Sequence, residues 1–214
     1  MELGFSAVLP HPLEEMSHAE NSFWHHGSHV FKSGKNYEII APSGKGKTTM
    51  LDIIFGRRRD FSGQYTIDGI PSAKVNLNHW ANYRSRHLSY VFQGLRLFRH
   101  LTGKQNIDIK NRLTQTLSND RIKTLAQILD IENQLDKKAG LMSYGQQQRL
   151  AIIRAMAQPF EWLLLDEPFS HLDPATARKA AELIAGECEN RSANFIITRL
   201  SDESYLSAQE QIVL

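Results

Sequence analysis

The sequence predicts an α/β fold: a mostly parallel sheet with flanking helices, a small antiparallel β region and an inserted α-helical lobe. Three observations lead there. Short apolar runs at 37–41 (YEIIA), 88–92 (LSYVF), 162–165 (WLLL) and 195–198 (FIIT) read as strands covered on both faces. Helical patterns separate these runs, and strands alternating with helices imply parallel pairing. From about residue 102 to 157, Leu and Ile recur at helical spacing, as at Ile122, Leu125, Ile128 and Leu129, with little β signature.

Each element has a local reason. The strand at 37–41 lies between Gly34 and Pro42, and TTMLDIIF follows as a helix. Residues 63–69 (GQYTIDG) alternate β-formers between two glycines, as in a strand of a smaller sheet. At Asp173-Pro174 an N-cap followed by proline opens a helix running to about Cys188. A last strand is expected at 211–214.

Bulk composition bounds the answer without naming a chemistry. A chain of 214 residues is one large domain, or one domain with a small lobe. Hydrophobic residues at 41% and charged residues at 22% suit a globular protein. The net charge of +2 gives no reason to expect nucleic acid as a partner. No run approaches the ~18 apolar residues of a membrane-spanning helix, and the first residues lack a signal peptide's basic and apolar regions. The single Cys188 excludes an internal disulfide and suits a reducing compartment. A cytosolic, soluble protein is expected.

Residues 41–49 read APSGKGKTT, the G-x-x-x-x-G-K-[ST] phosphate loop with Ala41 for the first glycine. Gly44 and Gly46 let backbone N–H groups turn toward phosphate oxygens, and the following helix adds its positive end. Lys47 can reach the β- and γ-phosphates, and Thr48 can place its hydroxyl on Mg²⁺. Lys45 reads as a loop side chain. These features predict a P-loop NTPase core.

Residues 162–173 read WLLLDEPFSHLD, an apolar strand ending in two carboxylates. Asp166 suits a Mg²⁺-holding role, and Glu167 can polarise an attacking water.

Residues 142–149 (MSYGQQQR) complete a pattern that resembles the nucleotide-binding subunits of ABC transporters, whose signature is LSGGQxxR. The order of phosphate loop, SxGQ, DEP strand and SHLD spans nearly the whole chain, from about Gly34 to Thr198. Residues 88–107 resemble the family's glutamine-loop region, most like that of lipoprotein-releasing and macrolide-export ATPases. The resemblance implies one ABC ATPase domain, with an α/β core at 1–93 and 159–214 and a helical lobe at about 94–158. It implies that Ser43, Gly44, Lys45, Gly46, Lys47, Thr48 and Thr49 wrap the phosphates of ATP. It implies that Gln93 joins Thr48 and Asp166 around Mg²⁺, and that Glu167 is catalytic. Ser143, Gly145 and Gln146 would contact ATP held by a second subunit, with Asp173 at the dimer interface. The implied partners are that second copy, packed head to tail, and an integral membrane permease. The chain would then lie at the inner face of the membrane.

Three departures from the pattern stand out. Met142 replaces Leu and Tyr144 replaces a glycine of the signature. Arg199 stands where the family has its switch histidine. It can supply charge to the γ-phosphate or simply pair with a carboxylate or face solvent. The aromatic that stacks on adenine has no clear counterpart among Phe5, His18, Phe23 and Trp24, which read equally as core. His25, His26 and His29 have no partners at metal spacing, and Arg57–Arg59 suits a helix C-terminus. Beside the transport ATPase stands a rival reading, a nucleotide-gated regulatory module with weak turnover. A DNA-repair or translation ATPase of the superfamily would need a coiled coil or second ATPase copy, for which the length leaves no room.

Overall fold

The computed structural model describes residues 1–16, 18–199 and 205–214. In chain order, β1 is Leu3–Pro10, α1 Phe23–His26, β2 His29–Phe31, β3 Tyr37–Ile40, α2 Lys47–Ile54, β4 Phe61–Ile67 and β5 Ile70–Pro71. Then come α3 Leu77–Asn82, β6 Leu88–Val91, α4 Gly103–Thr114, α5 Asn119–Ile128 and α6 Tyr144–Met156. The chain closes with β7 Trp162–Asp166, α7 Pro174–Asn190, β8 Asn194–Arg199 and β9 Glu210–Val213.

Five strands form a parallel sheet in the order β6-β7-β8-β3-β9. Four form an antiparallel sheet in the order β2-β1-β4-β5. This is a P-loop NTPase α/β architecture. The expected strands fall within a residue or two of the observed ones. The strand expected at 63–69 starts two residues earlier and turns at Asp68-Gly69, both at positive φ, as a two-residue hairpin requires.

The apolar runs are explained by burial on both faces. Along β7, Leu163 and Leu165 pack with α6 and α7, while Trp162 and Leu164 pack with α2 and the antiparallel sheet. Phe195 and Ile197 of β8 alternate with Ile196 in the same way. Side chains of successive strand residues point to opposite faces, so a central strand with a layer on each side needs no polar position.

The helices of the middle segment are capped from their own sequence. Thr102 with Gln105, and Ser143 with Gln146, form reciprocal capping boxes on α4 and α6. Asp173 caps α7 by accepting from the N–H groups of Ala175 (3.1 Å) and Thr176 (3.0 Å). The segment between β6 and α4 is irregular: Leu95 and Arg96 both adopt positive φ. Arg154 of α6 donates to both their carbonyls at 2.6 Å, which fixes this turn against the helix. Burial lowers the Arg154 guanidinium to about 10, yet it stays charged at neutral pH. No helix among the described residues is long and apolar enough to cross a membrane.

Cys188 lies on the inner face of α7, 3% exposed, where burial pushes its thiol up to about 12. It is therefore expected to resist thiol reagents at mildly alkaline pH in the folded protein and to react fully in denaturant. Rapid labelling without denaturant would contradict this packing.

Candidate functional site

The phosphate-type loop connects β3 to α2 at the carboxyl edge of the parallel sheet, where ligands of such sheets bind. Gly44 (φ 78°) and Gly46 (φ 96°) occupy the left-handed half of conformational space, which a side chain resists. Pro42, Ser43, Gly44 and Thr48 are exposed, and Lys45 and Gly46 partly so. Lys47 is 5% exposed and curls back over the loop, donating to the carbonyls of Ala41 (2.7 Å) and Pro42 (3.1 Å). Thr49 faces away, and its hydroxyl accepts from Arg58 at 3.3 Å. Arg57 and Arg58 are themselves paired with Asp52 and Asp60.

The loop rests on a residue whose role the sequence did not reveal. Trp24 of α1, 3% exposed, donates its indole N–H to the Lys45 carbonyl at 2.9 Å. A Cβ on Gly46 would come within 2.9 Å of that same indole nitrogen and 2.8 Å of Leu13. Phe5 and Phe23 pack edge-on against each other beside Trp24, so all three aromatics are core. His18 bonds the Leu13 carbonyl at 2.9 Å.

The two carboxylates diverge at the end of β7. Asp166, 1% exposed, accepts from Thr48 and from Thr198 of β8, each at 2.8 Å. Glu167 takes φ 49°, an uncommon conformation outside glycine, which turns the chain out of the strand. Its N–H donates to Thr198 at 3.1 Å. Its carboxylate, on a residue 9% exposed, accepts from Gln93 at 3.0 Å and faces Lys47 at 3.5 Å. Its carbonyl accepts from Gln148 of α6 at 3.2 Å.

The charge does not balance: two carboxylates meet one ammonium. The surplus reaches outward. Burial holds Asp52 above the usual carboxylate range, and Asp166 pushes it the same way, against Arg57. Burial also drives the Tyr90 phenol well upward, with Asp166 and Asp52 adding to the shift. The Thr48 hydroxyl and Asp166 carboxylate are hard oxygen donors, adjacent in space and short of positive charge, and this donor set fits Mg²⁺. Among the described residues, no group of three His, Cys, Asp or Glu side chains could hold a metal by itself.

The structure thus brings Lys47, Thr48, Gln93, Asp166 and Glu167 together from three separate segments. Ser143, Gly145 and Gln146 lie apart from them. Ser143 and Gln146 bond each other, and no hydrogen bond among the described residues ties these three to the phosphate loop. Ser143 is exposed, and a Cβ on Gly145 would sit 3.1 Å from the His171 carbonyl. Asp173 is likewise at the surface, engaged with Thr176. Of the readings open for Arg199, the structure holds the pairing with a carboxylate. Its guanidinium meets Glu38 of β3, with Nη2–Oε2 at 2.8 Å, and Gln211 donates to the same oxygen at 3.0 Å. Glu38 is 4% exposed, and a buried carboxylate needs such a cation.

Gly46 supplies a direct test of the loop's packing. Gly46→Ala adds strain at positive φ and crowds the Trp24 ring, so a loss of about 1–3 kcal/mol in urea unfolding is expected. Unchanged stability would show that Trp24 does not buttress the loop.

Comparison with known proteins places this geometry. The family model described as "ABC transporter" matches residues 25–170. The thiamine import ATP-binding protein ThiQ of Escherichia coli O157:H7 is 33% identical over 174 residues, covering 79% of this chain and 72% of the relative. Its name denotes import, which does not support the export or lipoprotein-release subtype expected from residues 88–107. Among solved structures, the dimeric structure of MJ0796, a bacterial ABC transporter cassette, superposes with a TM-score of 0.75 at 26% identity, covering 92% of this chain and 87% of that one. A post-hydrolysis dimer of the same cassette with ADP and Pi bound gives 0.75 at 25% identity, covering 92% and 88%. Family model, relative and fold agree with the phosphate loop, the acidic pair and the capped signature helix: the chain belongs to the ABC transporter family, as an ATP-binding subunit with ATPase activity.

Proposed function

We propose that the chain hydrolyses ATP at the site formed by Lys47, Thr48, Gln93, Asp166 and Glu167. It does so as one of two identical copies packed head to tail. It powers a separate integral membrane permease at the inner face of the membrane. The observation that carries the reading is the position of Glu167. Its carboxylate is buried, held by Gln93 and set beside the phosphate-loop lysine.

In this reading residues 43–49 wrap the phosphates through their N–H groups and the start of α2. Lys47 exchanges its carbonyl and Glu167 partners for β- and γ-phosphate oxygens, which frees the Glu167 carboxylate to face a water. Glu167 then takes a proton from the attacking water as the water oxygen bonds to the γ-phosphorus. The bond from that phosphorus to the bridging oxygen breaks, and ADP leaves. Thr48, Asp166 and Gln93 would hold Mg²⁺, which would supply charge neutralisation to the phosphates. Ser143, Gly145 and Gln146 serve the nucleotide of the second copy, and Asp173 lies in the contact between copies. Residues about 94–158 act as a lobe that moves against the core at 1–93 and 159–214. The cleft around Gln93 receives the permease. ThiQ's name favours import over export for that permease.

One observation favours the rival, a nucleotide-gated regulator with weak turnover. Arg199, at the switch position, is paired with Glu38. The reconstituted partner decides between them. A transport subunit shows ATPase stimulated several-fold by its permease, and a regulator shows none.

Glu167→Gln is expected to lower turnover at least about 100-fold while ATP-driven dimerisation, followed by sedimentation, persists. Wild-type turnover in that variant would remove Glu167 from the role of base.

A further inference from the structure

Tyr144 departs from the glycine of the family signature, and its surroundings give it a use. It is the first residue of α6, between Ser143 and Gly145, and 45% exposed. Its side chain turns back onto its own chain. The phenol donates to the Gln93 carbonyl at 3.2 Å, and the ring packs edge-on against His171 with centroids 4.3 Å apart.

These two contacts close a circuit. Gln93 donates its side-chain amide to the Glu167 carboxylate at 3.0 Å. The Glu167 carbonyl accepts from Gln148 at 3.2 Å, and Gln148 accepts from the His171 N–H at 3.2 Å. His171 returns to Tyr144 through the ring contact. Gln148 is 2% exposed and lies one helical turn beyond Tyr144 on α6. The front of α6 is therefore tied to the base and its glutamine from two sides.

We infer that Tyr144 is a positioning residue that couples the two ATP sites of the dimer within each chain. The inference rests on the head-to-tail reading above, in which Ser143 and Gly145 touch the second copy's nucleotide while Gln93 and Glu167 serve the chain's own. Tyr144 lies between those partner-facing residues, and its hydroxyl holds the backbone from which Gln93 reaches Glu167. Any shift of the α6 front on engaging the partner's nucleotide pulls on Gln93 directly. Without the hydroxyl, the backbone at Gln93 is no longer tied to α6 on that side. One hydrogen bond of ordinary strength supports a coupling of about fivefold between sites.

Tyr144→Phe removes the donor and keeps the ring on His171, so the fold is retained. ATPase rate against ATP concentration is measured for wild type and Y144F, with thermal unfolding alongside. ATP-driven dimerisation is measured in the Glu167→Gln background with and without Y144F. The expected result is a Hill coefficient falling from the wild-type value toward 1 and half-saturation rising about fivefold, with the melting midpoint within about 2 °C. A residue that only filled space would not change the Hill coefficient on loss of one hydroxyl. Wild-type cooperativity and half-saturation in Y144F, with ATP-driven dimers still forming, overturn the coupling and leave the dimer reading intact. Failure of Glu167→Gln itself to dimerise on ATP overturns the dimer reading, and the coupling with it.

Discussion

Two adjacent carboxylates buried at the end of a strand are the constraint around which this molecule is arranged. Removing a charge from water costs several kcal/mol unless partners replace the water. Asp166 is 1% exposed and Glu167 9%. Neither can be left alone, and no neighbour on β7 can serve them, because the strand before Asp166 is apolar. Their partners must arrive from elsewhere in the chain. Thr48 comes from the first turn of α2, Gln93 from the loop after β6, Thr198 from β8, and Lys47 at the start of α2 supplies the one cation.

Sheet order makes that convergence possible. Parallel strands end on the same side, so the loops following β3, β6 and β7 emerge together. β8 lies between β7 and β3, and the register pairs Asp166 with Thr198. One threonine hydroxyl can then donate to Asp166 and accept from the Glu167 N–H. The positive φ of Glu167 completes the arrangement, because a regular strand would carry its side chain to the opposite face from Asp166 and into a packed layer. The partners available are still short by one positive charge. Such a shortage fits a site that takes up a cation.

The parts of this design that are local in sequence were legible, and those that are not local were hidden. The phosphate loop, the apolar strand ending in Asp166-Glu167, and the Asp173-Pro174 cap each lie within a short window with fixed spacing. The support from Trp24 to Lys45 crosses 21 residues, and a W-H-H turn carries no sign of it. Gln148 was one of three glutamines in a row; only the packing of α6 shows that it faces Glu167. The pairing of Arg199 with Glu38 spans 161 positions. A sign of it was available, since Glu38 is the only charged residue within YEIIA, and a carboxylate in a buried strand requires a cation.

Two departures from the family pattern share a physical character. Tyr144 stands for a glycine of the signature and Arg199 for the switch histidine, and each side chain is turned onto its own chain. The Glu167 carboxylate depends on neither for its contacts, which come from Gln93 and Lys47. What the departures change is the mechanical surroundings. Arg199 locks the end of β8 to β3, beneath the phosphate loop, and Tyr144 fastens the front of α6 to the glutamine loop. Arg154 fastens that same loop from deeper in α6, through the carbonyls of Leu95 and Arg96. The glutamine loop is thus held to one helix at two points. Gln93, which bonds the Glu167 carboxylate, is thereby tied to α6, whose capped front at Ser143 lies on the surface.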